Sequence, residues 1–211
     1  MKPKVWIDNG HGANCAGKHS PDLRLREYKW CREVAALVVD GLTADGVDAA
    51  LLVPETHDVS IKNRCERVNR TCVERGARNV LLVSIHNNAT GSDGLWHDAS
   101  YWSAWVYRQE VKDTNGKVIQ LREASLESKR LAELFTAMAK GFGWRVGVGE
   151  RPYKEANFGI LRGSLCPAVL TENFFQDNKA NVDWLLTPEA KTAIALLHIH
   201  TIEQYLYEQG K

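Results

Sequence analysis

No stretch of this sequence approaches the roughly 18 to 20 unbroken apolar residues that a helix needs to cross a bilayer, so no membrane insertion is expected. Met1-Lys2-Pro3-Lys4 leads straight into an apolar segment, with no apolar leader and small-residue cleavage site ahead of it, and a signal peptide is not expected. Cysteine is sparse: the five residues are an odd number without a Cys-x-x-Cys pair, which disfavours both a disulfide framework and a structural zinc knot. Cys65 and Cys72 stand about 10 Å apart along a helix by its rise, beyond the roughly 7 Å that a disulfide spans, and are read as core thiols. Charge of one sign is lacking too. With a formal net charge of +1 and 25% charged residues, nothing calls for a polyanion, and no nucleic-acid partner is expected. There is no repeat, low-complexity tract or linker, so 211 residues, 44% of them hydrophobic, point to a single domain spanning 1–211 with a sizeable core.

What is present is a set of apolar strands that end in reactive side chains. Val5-Trp6-Ile7-Asp8-Asn9 runs into the turn Gly10-His11-Gly12, residues 80–85 end at His86, and residues 168–170 end at Thr171-Glu172. Parallel strands buried on both faces read as continuous apolar runs and present their ligands at the carboxyl ends. Helical stripes fall between them. Trp30, Val34, Leu37, Val38 and Gly41 share one face, which Glu27 extends inward by a turn; Ile61, Cys65, Val68 and Cys72 form a second stripe between a Ser60 cap and Gly76. A third helix opens at Ser125 with Leu131, Leu134, Phe135 and Met138 inward, and a last one opens at Thr187-Pro188 with Ile194, Leu197, His198, Thr201 and Tyr205 inward. Strands are expected at 47–53, 158–161 and 168–171, and a loop around Gly147, Gly149 and Pro152. The fold class is α/β, a mostly parallel twisted sheet with helices on both faces.

Residues 90–124 break this pattern and are expected to form a hairpin-like insertion, with Asn115-Gly116 as a two-residue turn. The insertion is rich in aromatic side chains, among them Trp96, Tyr101, Trp102, Trp105 and Tyr107. Trp102 and Trp105 are candidates to wall a groove for sugar or peptide; packing of such rings onto the domain is the competing expectation.

Of seven histidines only His11 and His86 end strands, where a ligand can be held rigidly. His198 falls on a buried stripe and reads as a satisfied core residue. Two imidazoles and the Glu27 carboxylate, with a fourth position open, form a known ligand set for one catalytic zinc ion, which polarises a carbonyl and acidifies a water. A glutamate ending an apolar run, as Glu172 does, is costly unless it has work or a partner. Proton transfer is the work expected of it.

These pieces resemble the zinc-dependent N-acetylmuramoyl-L-alanine amidases, the family of bacterial cell-separation amidases and many phage endolysins. The matching segments are Ile7-Asp8-Asn9-Gly10-His11-Gly12, Leu25-Arg26-Glu27, Arg64 with Asn69, Val83-Ser84-Ile85-His86-Asn87-Asn88-Ala89, Ser128-Lys129-Arg130-Leu131-Ala132, Gly159-Ile160-Leu161-Arg162, and 167–174, in the family's order along nearly the whole chain. The resemblance implies that His11, Glu27 and His86 ligate zinc, that Glu172 is catalytic, and that the substrate is peptidoglycan, cut between the lactyl group of N-acetylmuramic acid and L-alanine. Asn88 also matches, either orienting the site or bonding its loop. Asn173-Phe174 departs from the pattern, standing where a glycine usually follows the catalytic glutamate.

Two alternatives are carried forward: another zinc peptidase or deacylase acting on wall peptides, and a non-catalytic peptidoglycan-binding module. A monomer is expected. The chain is further expected to be an endolysin, encoded by a phage or prophage, made in the bacterial cytoplasm and acting on the wall after release, rather than a domain of a longer secreted precursor.

Overall fold

The computed structural model describes residues 2–148 and 151–210; Met1, Gly149, Glu150 and Lys211 lie outside the described residues, and with them the expected start at Met1 and part of the loop around Gly149. In chain order the elements are β1 (Lys4–Asn9), α1 (Glu27–Ala44), β2 (Asp48–Leu51), α2 (Ile61–Arg75), β3 (Val80–Asn88), β4 (Trp102–Lys112), β5 (Val118–Glu123), α3 (Leu126–Gly141), β6 (Lys154–Ala156), α4 (Gly159–Gly163), β7 (Ala168–Phe175), α5 (Lys179–Leu185) and α6 (Pro188–Glu208). The sheet order is β2-β1-β3-β7-β4-β5, with β6 also pairing β4. The first four of these strands are mutually parallel. β4 then runs antiparallel to β7.

Period-2 alternation explains why residues 80–83 of β3 are apolar without a break. Leu81, Val83 and Ile85 join the core on the side of α1, α3 and α6, whereas Val80 and Leu82 join a second cluster with Val68, Cys65, Ile160 and Leu161 under α2 and α4. Both faces are therefore covered, as the sequence pattern implies. Caps form where the sequence places them: Ser60, Ser125 and Thr187 accept from the backbone N–H groups of Asn63, Ser128 and Ala190.

Several expectations are corrected. Leu37 and Ile61 are exposed, at 42% and 48%; the buried face of α1 is completed by Cys31, Ala35 and Leu42 instead. Residues 158–161 are not a strand. The edge position beside β4 is taken by β6, and 159–163 coil into α4, packed so closely on α2 that a Cβ at Gly163 would lie 2.6 Å from Cys65 Sγ. The Asn115-Gly116 turn is wider than two residues. The Asp113 carboxylate accepts from the N–H groups of both Asn115 and Lys117, each at 2.9 Å, and this Asx turn opens the loop to 113–117 with Gly116 at φ 82°. The start of β4, inside the expected insertion, is a full member of the central sheet, and only its far half with β5 projects as a hairpin. The cysteines are free thiols, four of them buried and Cys15 half-buried.

Candidate metal centre

The turn after β1 is held from beneath by a buried arginine. Arg64, on α2 and 2% exposed, donates to Asp8 Oδ1 at 2.7 Å and to the Asn9 carbonyl at 2.8 Å, while Ser84 Oγ donates to the other Asp8 oxygen. A pair this buried is retained only when its remaining donors are satisfied, and Arg64 also reaches the Val59 carbonyl and Asp58. His11 then sits at φ 58°, a left-handed conformation that a side chain rarely adopts. Its carbonyl accepts from Arg32 at 3.0 Å and from Arg64 at 3.3 Å, so two guanidinium groups fix the unfavourable backbone.

Glu27 is the first residue of α1, where a carboxylate is favoured by the helix dipole, yet it points inward and is 1% exposed. His86 comes from β3, one strand over from β1. Gly10 makes room for it: a Cβ there would lie 2.5 Å from the imidazole Cε1. His86 Nδ1 lies 3.0 Å and His11 Nε2 3.4 Å from the same oxygen, Glu27 Oε1, and the two rings meet edge-on with centroids 4.9 Å apart. One ligand atom from each of the three residues thus falls within 4.8 Å of the other two, a group that could hold a metal ion. The second Glu27 oxygen is buried without a partner. Such an orphaned carboxylate oxygen is expensive in a folded chain and fits a site built for a cation.

Electrostatics separates the two carboxylates. Burial pushes Glu27 upward, but its hydrogen bonds to His11 and His86 outweigh it and hold the group well below the usual carboxylate range. Burial likewise pulls His86 down, and Glu27 more than restores it. Glu172 stands directly opposite His86 on β7. Burial, with the Glu27 charge adding to it against the pull of His86, raises Glu172 to about 8. Its Oε2 is shut off with no partner. The two carboxylates are thereby driven apart, Glu27 held as the anion that suits a cation and Glu172 able to hold a proton.

The remaining candidates divide. Trp102 is fully buried, stacked near Phe135, and its indole N–H donates to Asn173 Oδ1 at 2.7 Å; it orients the site from below and faces no groove. Trp105 is half-buried and lines a groove beside β6. The Asn88 side chain accepts from the Ala89 N–H, the loop-bonding role. The asparagine that serves the site is Asn173, which donates to the His86 carbonyl at 3.0 Å, and whose own carbonyl accepts from Asn87. Its visible signal was the departure from the family pattern directly after Glu172. His198 is a satisfied core residue: Nδ1 bonds the Ile194 carbonyl at 2.7 Å, and Nε2 meets Thr171 Oγ1 at 2.9 Å.

An α/β sheet that gathers two imidazoles and an ionised carboxylate near the ends of its central strands, beside a second carboxylate of raised pKa, has a residue set that could hold a metal ion and fits the class of hydrolases. Comparison with known proteins narrows the class. The profile of Amidase_3, N-acetylmuramoyl-L-alanine amidase, matches residues 5–204. A sporulation-specific N-acetylmuramoyl-L-alanine amidase of Bacillus subtilis is 27% identical over 203 residues, covering 95% of this chain and 67% of the relative. The endolysin of Bacillus phage SPP1 is 26% identical over 209 residues, covering 98% of this chain and 67% of its own length. The chain therefore spans about two thirds of the length of these two relatives. An N-acetylmuramoyl-L-alanine amidase from Clostridium difficile 630 superposes with a TM-score of 0.73 at 25% identity, covering 97% of both chains. The catalytic domain of an amidase from Bacillus (Paenibacillus) polymyxa superposes at 0.75 and 21% identity, covering 98% of both, and shares the fold. The chain belongs to the N-acetylmuramoyl-L-alanine amidase family. It is an enzyme of peptidoglycan hydrolysis.

Proposed function

We propose that His11, Glu27 and His86 hold one zinc ion and that Glu172 is the catalytic acid–base in hydrolysis of the amide between the lactyl group of N-acetylmuramic acid and L-alanine. The observation that carries this reading is the convergence of the three ligand atoms within 4.8 Å, with Glu172 opposite His86. Two nitrogens and one oxygen suit zinc, which when bound supplies a Lewis acid for the scissile carbonyl. Glu172 takes a proton from the attacking water and delivers it to the nitrogen of L-alanine as the C–N bond breaks and the C–O bond forms. Its position opposite His86, buried at the end of β7, suits a group that must both accept and donate a proton beside the ligands. Asn173 holds the His86 backbone carbonyl, and Trp102 in turn holds the Asn173 side chain.

A monomer suffices for this reading, because β1, α1, β3 and β7 of a single chain bring His11, Glu27, His86 and Glu172 together. In the cell the enzyme is read as an endolysin, held in the cytoplasm after synthesis and reaching the wall on release. Replacing Glu172 with Gln keeps the shape and removes the proton acceptor. The variant should lose about 10²- to 10⁴-fold in turnover while binding zinc and cell walls as the parent does. Full turnover in Glu172→Gln would remove the acid–base assignment.

A further inference from the structure

A second group of side chains shares the sheet face of Glu172. Ser103 on β4 is directly opposite Glu172, and Trp105, two residues on, is directly opposite Lys154 on β6. Paired residues, and residues two apart on a strand, project to the same face. The Trp105 indole N–H donates to Ser103 Oγ at 3.0 Å, so the ring leans toward the carboxyl end of β7.

Lys154 is cradled on this shelf. Its ammonium lies 4.6 Å from the Tyr101 ring centroid and 5.2 Å from that of Trp105, and it donates to the Tyr101 hydroxyl at 3.0 Å. The Tyr101 ring in turn meets Phe175 at the end of β7. Aromatic faces hold a cation in place without neutralising it. Among the described residues Lys154 reaches no carboxylate, whereas its neighbours Arg108 and Arg151 share Glu155, each at 2.9 Å. Trp105, Arg108, Arg151, Tyr153, Lys154 and Glu155 line a groove of about 490 Å³ at this sheet edge, to which Trp105 and Lys154 contribute from the Glu172 face while Arg108 and Glu155 alternate to the other face.

The groove is within reach of the reaction. Two strand spacings and two residues of rise put the Lys154 backbone about 12 Å from that of Glu172. An extended peptide covers about 3.3 Å per residue, so the groove meets the third or fourth residue beyond the cleaved amide. We propose that this groove is a subsite for a free carboxylate on the peptide portion of the substrate, with Lys154 as the specificity-determining residue. The proposal rests on the reading of Glu172 as the reacting end of the site.

The test uses two muramoyl tetrapeptides of one sequence, one with its carboxylates free and one with every carboxyl capped as the primary amide. The parent, Lys154→Met and Lys154→Arg are compared on both, and binding of the corresponding tetrapeptides without muramic acid is titrated by calorimetry. The parent should favour the free form by about tenfold in kcat/KM, carried mainly by KM, as one half-buried charge-assisted hydrogen bond implies. Lys154→Met should level the two substrates, the loss falling on the free form, and Lys154→Arg should keep most of the preference. No preference in the parent, or equal losses on both substrates in Lys154→Met, would overturn the proposal, the second result marking Lys154 as a prop for Tyr101 and Trp105. Should the parent cleave neither substrate, the amidase reading fails by itself. The titrations then decide: a binding preference abolished by Lys154→Met upholds the subsite, and equal binding rejects it.

Discussion

Phe174 sets two local forces against each other. Its backbone lies at φ 62°, where a side chain costs about 1–2 kcal/mol. Its ring packs against Trp144 and Trp184 with centroids 5.5 and 5.1 Å away. Removing a buried phenyl ring costs about 3–5 kcal/mol, so Phe174→Gly should be destabilising by about 2–3 kcal/mol after the backbone relaxes; denaturant titration reads this directly, and a more stable glycine variant would mean that strain dominates. The sequence revealed the missing glycine but not the left-handed geometry, which only the aromatic cluster accounts for. His11, Glu27, His86 and Glu172 were legible because each is a polar residue closing an apolar run or opening a helix on its inner face. Trp102 was not. An aromatic on a loosely alternating strand carries no mark of the face it will occupy, and its bond to Asn173 joins residues 71 positions apart.

Among the elements, long periodic segments were legible and short ones were not. α1, α2, α3 and α6 each carry enough turns for an apolar stripe to stand out, and β1, β3 and β7 each contain an apolar run of three residues or more, at 5–7, 80–83 and 168–170. α4 has five residues and α5 seven, too few for a helical period, so α4 read as a strand and α5 went unforeseen. At a stripe's margin, as at Leu37 and Ile61, rotation by one position separates core from solvent, and the packing partner decides. α6 makes a quantitative case through His198. The Ile194 carbonyl can only accept, so Nδ1 carries the proton and Thr171 donates to Nε2. Burial holds this imidazole down at about 4, below its ordinary 6.5. Between those values the unfolded chain holds the extra proton and the folded one does not. Stability from this group is therefore complete above pH 6.5 and falls by about 3 kcal/mol as the pH drops to 4. His198→Gln should lose about 3 kcal/mol less than the parent over that interval, measured by denaturation at stepped pH. Parallel stability curves for the two proteins would contradict the assignment.

For the molecule as a whole, the decisive feature is a sheet covered on both faces, which leaves the carboxyl ends of β1, β3 and β7 as the place where rigid backbone meets solvent. Helix packing on one side and the Arg64 network on the other fix the turn and strand ends that carry the ligands, and no helix among the described residues is long and apolar enough to cross a membrane. The parallel half of this arrangement was legible from apolar runs separated by amphipathic helices. The antiparallel edge was not, because β4 joins β7 through pairings that a local pattern cannot announce. The central claim joins one bond to one ion, and digestion of purified peptidoglycan with and without a chelator tests it most directly, with new amino termini identified by residue and new reducing ends counted. Free amino-terminal L-alanine without new reducing ends, abolished by chelation and restored by zinc, is the predicted result. Termini at any other residue, or undiminished release of L-alanine in the metal-free protein, would contradict it.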